Sequence, residues 1–552
     1  MDKSLAFGRN AARDSEQQSV AHTLAQRVAG YARSRPDAPA FIAGDEVLSW
    51  RVYDAVSTAL AALLIDLGLA RGERVAVLLP DGTDMHTAFL GIEKAGLVTM
   101  GIGPRAGRKE VEHLLRLSGA TALLSLALHR GIDTAALVSD LRREGLPLRH
   151  HIVASGPLRA GKLRVDGGEA ALALAFDAAE RERRAALFAQ RRHDLDELFL
   201  LNSTSGTTGM PKCVAHQQRR WLDYHQLALD SAGGMSQDDV FLSAIPATFG
   251  FGIWTSHFTP TLLGAPTVLL PKFSAEALIE AIAAHRVTVM AAVSTQFIMM
   301  LNSPLLRQRD VGSLRILYTG GEAVPYERAA EFEQTTGAAV LQFYGSNETG
   351  ALSYTSVRDT REKRLTTAGR LIEGMNVRLL DDDGGDATAS GRGQPACRGP
   401  VMSLGYYNDE RAQRSLFTPD GWMLTGDIAE LDAEGYLRIV GRKQDFIIRG
   451  GKNISGPAVE QAVATHPSVA LAAAVAMPDP VFGERVCVYA TLRAGGALAL
   501  PELTAHLAQG GYSPEYFPER LIIVDELPYA SGGKIAKQQL RDDIKRRLQA
   551  GE

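Results

Sequence analysis

The chain has 552 residues, 45% of them hydrophobic and 22% charged, with a formal net charge of −4; it is too long for one core and carries no basic excess for nucleic acid. The N-terminal "MDKSLAFGRNAARDSEQQ" has no apolar core of a signal peptide, and runs such as Ser468–Met477 fall far short of a membrane span. Cys213, Cys397 and Cys487 are too widely spaced for a disulfide framework or a metal cluster, so a reduced cytoplasmic protein is expected, with no nucleic-acid partner and no membrane span.

Arg27 to Gly72 reads as two helices around a hairpin, "PAFIAGDEVLSW". "ERVAVLLP" is a short apolar run bounded by Gly72 and Pro80, which predicts a buried strand. "MHTAFLGIEKAGL" has helical spacing. "RKEVEHLLRLSG" is an amphipathic helix ended by Gly119, and "ATALLSL" is the next strand. This alternation predicts parallel α/β architecture. Ser155 to Arg192 is Ala- and Arg-rich and reads as helix and connection between two α/β units. The alternation then resumes with strands in "HRVTVMAAVS", "LRILYTGG" and "AAVLQFYG", the last two separated by the helix "PYERAAEFEQTTG". Beyond Thr360 short strands and turns predict an antiparallel, barrel-like unit. "GYLRIVGRKQDFIIRGGKNIS" gives two strands around a charged break, Arg442 to Asp445, and a small α+β domain follows. The acidic "DDDGGD" lacks the spaced ligands and terminal Glu of a calcium loop and reads as a solvated hairpin.

Three strand ends share one chemical character: "NSTSGTTGMPK", "YTGGEAVP" and "FYGSNETG". Ligands of parallel sheets bind at the carboxyl ends of strands, and Gly-rich backbone lets N–H groups approach an anion. The first loop adds the hydroxyls of Ser203, Thr204, Ser205, Thr207 and Thr208, and the cation of Lys212. It is not the common phosphate loop: read from Gly206, Pro211 stands in place of Gly and Cys213 in place of Ser or Thr. The third adds Tyr344, whose face can stack on a purine, and Glu348, whose carboxylate can hold Mg²⁺. Alone, the first loop is an ordinary turn, Tyr344 a core residue and Glu348 a surface acid; their coincidence at strand ends argues for a site. "GIGPRA" (Gly101–Ala106) matches a loose dinucleotide fingerprint, but Pro104 removes a donor and no acid stands about 20 residues on, so it reads as a structural turn.

"STSGTTGMPK", "GGEAVP", "FYGSNETG", "GWMLTGDIAELDAEGYLRIVGRKQDFI" and "SGGKIAK", in this order, resemble the adenylate-forming superfamily of acyl- and aryl-CoA synthetases, peptide-synthetase adenylation domains and firefly luciferase. The likeness runs from about Ala21 to Arg547. It implies a large N-terminal domain of two α/β sheet subdomains plus the barrel-like one, residues 1–443, and a small mobile α+β C-terminal domain, residues 444–552. It implies a two-step reaction. A carboxylate attacks the α-phosphorus of MgATP to give acyl-AMP and pyrophosphate, and a thiol, usually that of coenzyme A, then displaces AMP.

The resemblance also implies roles. Thr204, Ser205, Gly206, Thr207, Thr208, Gly209 and Lys212 would wrap the β- and γ-phosphates. Gly321, Glu322 and Ala323 would line the adenine slot, with Tyr344 on the base and Phe343 and Gly345 beside it. Ser346 and Asn347 would approach the α-phosphate, and Glu348 would hold Mg²⁺. Asp427 would accept from the ribose hydroxyls, with Arg442 donating nearby. Lys534, on a Gly-Gly loop, would stabilise charge developing between carboxylate and α-phosphoryl group, and completes a catalytic set with Glu348 and Thr208. Lys537, one turn on, has no assigned role. Gly450 and Gly451 in "RGGKN" would flank the pantetheine tunnel, where Arg449 and Lys452 either meet coenzyme A phosphates or are exposed cations on a tight hairpin.

Two positions depart from the family pattern. Gln444 replaces the usual hinge Asp or Lys, which bears on the second half-reaction. In "IPATFGFGIWTSH", Thr248 and Phe249 replace the usual aromatic–His pair, and His257 is given no catalytic part. Phe249, Gly250, Phe251 and Trp254, with Gly345, are either acyl-pocket walls or a buried helix start. As walls they suit a cyclic, aryl or medium-chain acid, and no acidic residue in that stretch would recognise an amino group. The leading expectation is an AMP-forming acid–CoA ligase using ATP, Mg²⁺ and coenzyme A. The alternative hands the adenylate to an acyl carrier protein or a partner enzyme, since no carrier domain follows "SGGKIAK". An inert nucleotide-binding regulator is disfavoured by the joint presence of Lys534, Glu348 and Asp427.

Overall fold

The computed structural model describes residues 22–204, 210–321, 324–442, 445–449, 452–530 and 533–550. Local signals set the elements. Thr23 closes a capping box with Gln26 at the start of helix Leu24–Ser34. Helix Arg108–Ser118 turns Val111, Leu114 and Leu115 inward and stops at Gly119, which takes the left-handed conformation at φ 60°. Strand Arg74–Leu78 is buried along nearly its whole length, as strands of a covered parallel sheet are.

Two nine-stranded sheets carry the large N-terminal domain. In one, Ala339–Ser346, Ile316–Gly320, Val289–Ala291, Phe241–Ser243, Thr267–Val268 and Pro39–Ala43 run parallel, with antiparallel strands at both edges. In the other, His150–Ala154, Ala122–Ser125, Arg74–Leu78, Val98–Gly101 and Leu198–Ser203 are parallel, flanked by antiparallel additions. One continuous core joins them, containing Val75 and Leu124 of the second sheet and Phe241 and Tyr318 of the first. Their strand ends converge, so Gly103, just past Val98–Gly101, meets the ring of Phe249, and Asn347, just past Ala339–Ser346 of the first sheet, bonds Asn202 of the second.

The antiparallel unit is a five-stranded sheet containing Asn376–Leu380, Arg392–Arg398, Asp427–Leu431 and Leu437–Arg442, with Met423–Leu424 beside it. The C-terminal domain is a second five-stranded sheet, with Gly483–Leu492 inside it and Val469–Asp479 paired along it at one edge, and helices packed against it. The region expected to be helix and connection also holds a hairpin, Lys162–Val165 with Gly168–Ala171, that extends the second sheet. Its turn is Asp166–Gly167, both at positive φ, the local signal that the Ala- and Arg-rich composition obscured.

Lys537 lies in this domain, 2.8 Å from Glu460, both side chains less than a fifth exposed. Glu460 also accepts the N–H of Ala474 in strand Val469–Asp479. Burial pushes the Glu460 carboxyl up, and Lys537 opposes that shift. Lys537→Met should therefore destabilise the C-terminal domain by about 1–3 kcal/mol, leaving a largely buried carboxylate without this partner. Hydrogen exchange should quicken in Val469–Asp479 and stay unchanged in the N-terminal sheets; unchanged exchange in both would contradict the assignment.

Candidate active site

A cleft of about 1520 Å³ opens where the strand ends, the antiparallel unit and a C-terminal loop meet, and Gly321, Phe343, Tyr344, Gly345, Asp427, Arg442 and Lys534 all line it. Strand Ala339–Ser346 runs further than its apolar residues suggest, so Phe343 to Ser346 belong to the strand itself. At Gly345 a Cβ would sit 1.8 Å from the Gly350 carbonyl oxygen, so the return strand admits only glycine there.

Tyr344 is buried, and its hydroxyl donates to Asp427 Oδ2 at 2.8 Å. The other oxygen, Oδ1, lies 3.2 Å from Arg442 Nε. Burial raises the Asp427 carboxyl, while Arg442, the Tyr344 hydroxyl and Lys534 oppose that rise. Burial and Asp427 together push the Tyr344 phenol well up, which fixes it as donor.

Lys534 arrives from the C-terminal domain. A Cβ built on Gly321, whose φ is +81°, would lie 2.7 Å from Lys534 Nζ, so the ammonium occupies the space that glycine leaves. The Thr295 hydroxyl, at the start of helix Ser294–Asn302, donates to the Gly533 carbonyl at 2.8 Å and seats the loop. Sequence reasoning missed Thr295, which stands in no motif.

The segment expected to meet phosphates joins antiparallel strands Leu198–Ser203 and Cys213–Gln217. Its base is closed by Thr204 N–H to the Lys212 carbonyl at 3.0 Å and by Lys212 N–H to Thr204 Oγ1 at 3.2 Å. Ser205, Gly206, Thr207, Thr208 and Gly209 lie outside the described residues, as do Glu322, Ala323, Gln444, Gly450 and Gly451. Tyr406, also missed, donates to Glu348 Oε1 at 2.7 Å, and Lys212 Nζ stands 4.5 Å above its ring. Its strand pairs with Val214–Ala215, a long-range neighbour that no local pattern reveals. The Ser346 hydroxyl accepts from the N–H groups of Glu348 and Thr349 and so braces the turn. Asn347 donates to Asn202 Oδ1 at 2.6 Å.

The aromatic segment divides. Phe249 packs its ring 3.1 Å from where a Gly103 Cβ would be, so the "GIGPRA" turn is shaped to admit it. Phe251 is half-buried and stacks on Trp254 with centroids 5.8 Å apart. Trp254 is itself in the core against Tyr318 and Phe343. Gly250 faces Asn347, whose Oδ1 lies 2.4 Å from a built Cβ. His257 is buried with its Nδ1 2.9 Å from His86 Nδ1, and burial lowers it to about 3. In the C-terminal hairpin Arg449 pairs with Glu519 and Lys452 with Glu515, so both cations already have carboxylate partners.

Residues 28–407 match the AMP-binding enzyme family, and residues 458–534 match the AMP-binding enzyme C-terminal domain. The chain belongs to this adenylate-forming family. It is 29% identical to the medium-chain fatty-acid–CoA ligase of Escherichia coli, over 94% of this chain and 89% of that one. It is 30% identical to a salicylyl-CoA synthase / salicylate adenylyltransferase of a Streptomyces species, over 94% of this chain and 95% of that one. The crystal structure of the anthranilate CoA ligase AuaEII in complex with anthranoyl-AMP shares the fold at a TM-score of 0.83 and 24% identity, covering 98% of this chain and 100% of that one.

Gly321→Val should force the Lys534 side chain out of its seat. Its labelling by an amine-reactive reagent, followed by mass spectrometry, should then rise several-fold relative to Lys537; equal labelling in wild type and variant would contradict the close approach.

Proposed function

We propose that the protein activates an apolar carboxylic acid, cyclic, aryl or medium-chain, with ATP and then forms its thioester with coenzyme A. The observation that carries this reading is Lys534, delivered by the C-terminal domain into the cleft that Gly321, Tyr344 and Asp427 line. In the first step a carboxylate oxygen bonds to the α-phosphorus while the bond to the pyrophosphate oxygen breaks. In the second the thiol sulfur, losing its proton, bonds to the acyl carbon and AMP leaves.

The Lys534 ammonium meets the negative charge that gathers on the reacting oxygens, and Thr295 holds its loop in register. Asp427, ionised, accepts from the ribose hydroxyls, and Arg442 keeps that carboxylate charged against burial. The Thr204–Lys212 hairpin takes the departing phosphates, with Lys212 steadied over Tyr406. Glu348 suits Mg²⁺, which takes one or two carboxylates and fills its octahedron with phosphate and water oxygens; the Tyr406 hydroxyl holds that carboxylate in place. When bound, the ion would offset phosphate charge. Phe249 and Phe251, with the Gly103 turn, supply apolar walls for the acid.

One observation favours the second reading, in which acyl-AMP passes to a carrier-protein thiol. The cations that would greet the phosphates of coenzyme A, Arg449 and Lys452, are held by Glu519 and Glu515. A panel of carboxylic acids scored for pyrophosphate release, with and without coenzyme A, decides. No release with any acid would sink the enzyme reading, and release without a coenzyme A thioester would favour the carrier.

The Asp427 site makes a pH prediction. Burial raises this carboxyl and Arg442 lowers it, so removing the guanidinium lets the carboxyl rise further. For Arg442→Met the acid limb of the kcat/KM profile for pyrophosphate release should move to higher pH. An unmoved limb, or one displaced downward, would show that Asp427 does not need its charge.

A further inference from the structure

A buried polar chain ties the phosphate hairpin to the turn that carries Glu348, and no motif accounts for it. Asn202 stands in strand Leu198–Ser203, His216 in the return strand Cys213–Gln217, and Arg220 in the first turn of helix Gln218–Ala232; they are 1%, 0% and 2% exposed. Arg220 Nη1 lies 2.6 Å from His216 Nδ1 and donates to the Asn347 carbonyl at 2.8 Å. His216 Nε2 lies 2.7 Å from Asn202 Oδ1, which also receives the Asn347 amide at 2.6 Å.

The chemistry fixes every bond direction. A guanidinium only donates, so His216 Nδ1 must accept and the ring proton must sit on Nε2, aimed at Asn202. Burial and the Arg220 charge both hold His216 far below its ordinary range, which keeps it neutral. No carboxylate among the described residues pairs with Arg220; its guanidinium lies 5.2 Å from the Trp221 ring and 5.4 Å from that of Tyr224. A buried cation without a counter-charge is a poor stabilising device. The chain also leaves Asn202 Nδ2 and Asn347 Oδ1 buried and without a hydrogen-bond partner. A network kept only for stability satisfies its members. Asn347 Oδ1 reaches the acyl segment, where Gly250 alone leaves room for it.

We propose that Arg220, His216 and Asn202 are positioning residues that act through Asn347, holding the phosphate hairpin in register with the Ser346–Glu348 turn so that the two loops grip one polyphosphate. This rests on the nucleotide reading of the cleft. The loops are far apart in sequence and sit on different sheets, and this chain is a direct polar tie between them. Breaking it loosens their alignment on the nucleotide while leaving each sheet folded.

The test compares His216→Phe, which keeps an apolar-sized ring without hydrogen-bonding atoms, with His216→Gln, whose amide can still accept from Arg220 and donate to Asn202. Binding of α,β-methylene-ATP with Mg²⁺ is measured by calorimetry on the full chain, alongside the melting temperature. We expect His216→Phe to weaken binding about tenfold and His216→Gln to restore most of it. Where an active acid is known, the KM for ATP should rise while the KM for the acid stays. Undiminished binding by His216→Phe overturns the relay. So does equal loss in both variants, or a loss that tracks the melting temperature. A wild-type protein that does not bind the analogue overturns the nucleotide reading itself.

Discussion

One close approach organises this structure: a lysine on a C-terminal loop occupies the space above a glycine of the N-terminal domain. Gly321 can have Lys534 Nζ beside it only because it has no side chain, and its φ of +81° belongs to the region glycine enters without strain. The seat needs both domains. Gly321 follows a parallel strand, Thr295 lies in the first turn of the helix after a neighbouring strand, and Gly533 presents its carbonyl from the other domain. A cation brought by a separate domain is a cation that can be withdrawn, which suits a site whose two proposed steps make opposite demands.

Charge in the cleft is arranged to be borne under burial. Asp427 is buried, yet it is braced by the Tyr344 hydroxyl, by Arg442 and by the field of Lys534. Each brace comes from a different part of the chain, so the carboxylate's character depends on the whole assembly. On the side proposed to take phosphates, Tyr406 plays the matching part by giving a ring to Lys212 and a hydroxyl to Glu348. The pairs Arg449–Glu519 and Lys452–Glu515 lie on the hairpin proposed to meet the thiol donor, and any acceptor bearing phosphates must compete with those carboxylates.

The sequence makes much of this legible. The apolar runs between Gly and Pro mark the buried strands, and the loops that follow them mark the cleft, because backbone conformation and local composition are written in contiguous residues. Lys534 is visible through its two preceding glycines, and Lys537 is separable from it because Glu460 engages it in a packed domain. The hairpin at Asp166–Gly167 carries a turn signal within a stretch whose composition favours helix, and the composition misled. Tyr406, Thr295 and Arg220 are illegible for a different reason. Each acts through a partner distant in sequence: Tyr406 on Glu348, Thr295 on Gly533 and Arg220 on Asn347. Trp254 shows the converse, since aromatic content suggests a pocket wall while packing places the ring against Tyr318 and Phe343 in the core.

The central claim is that Lys534 serves the first step alone, through its charge. The half-reactions of Lys534→Ala test it most directly, with ATP–pyrophosphate exchange measured on a competent acid and thioester formation measured from supplied acyl-adenylate. Collapse of exchange by about two to three orders of magnitude, with thioester formation retained, is the predicted result. Equal loss of both steps would mean that Lys534 holds the domains together and does no chemistry.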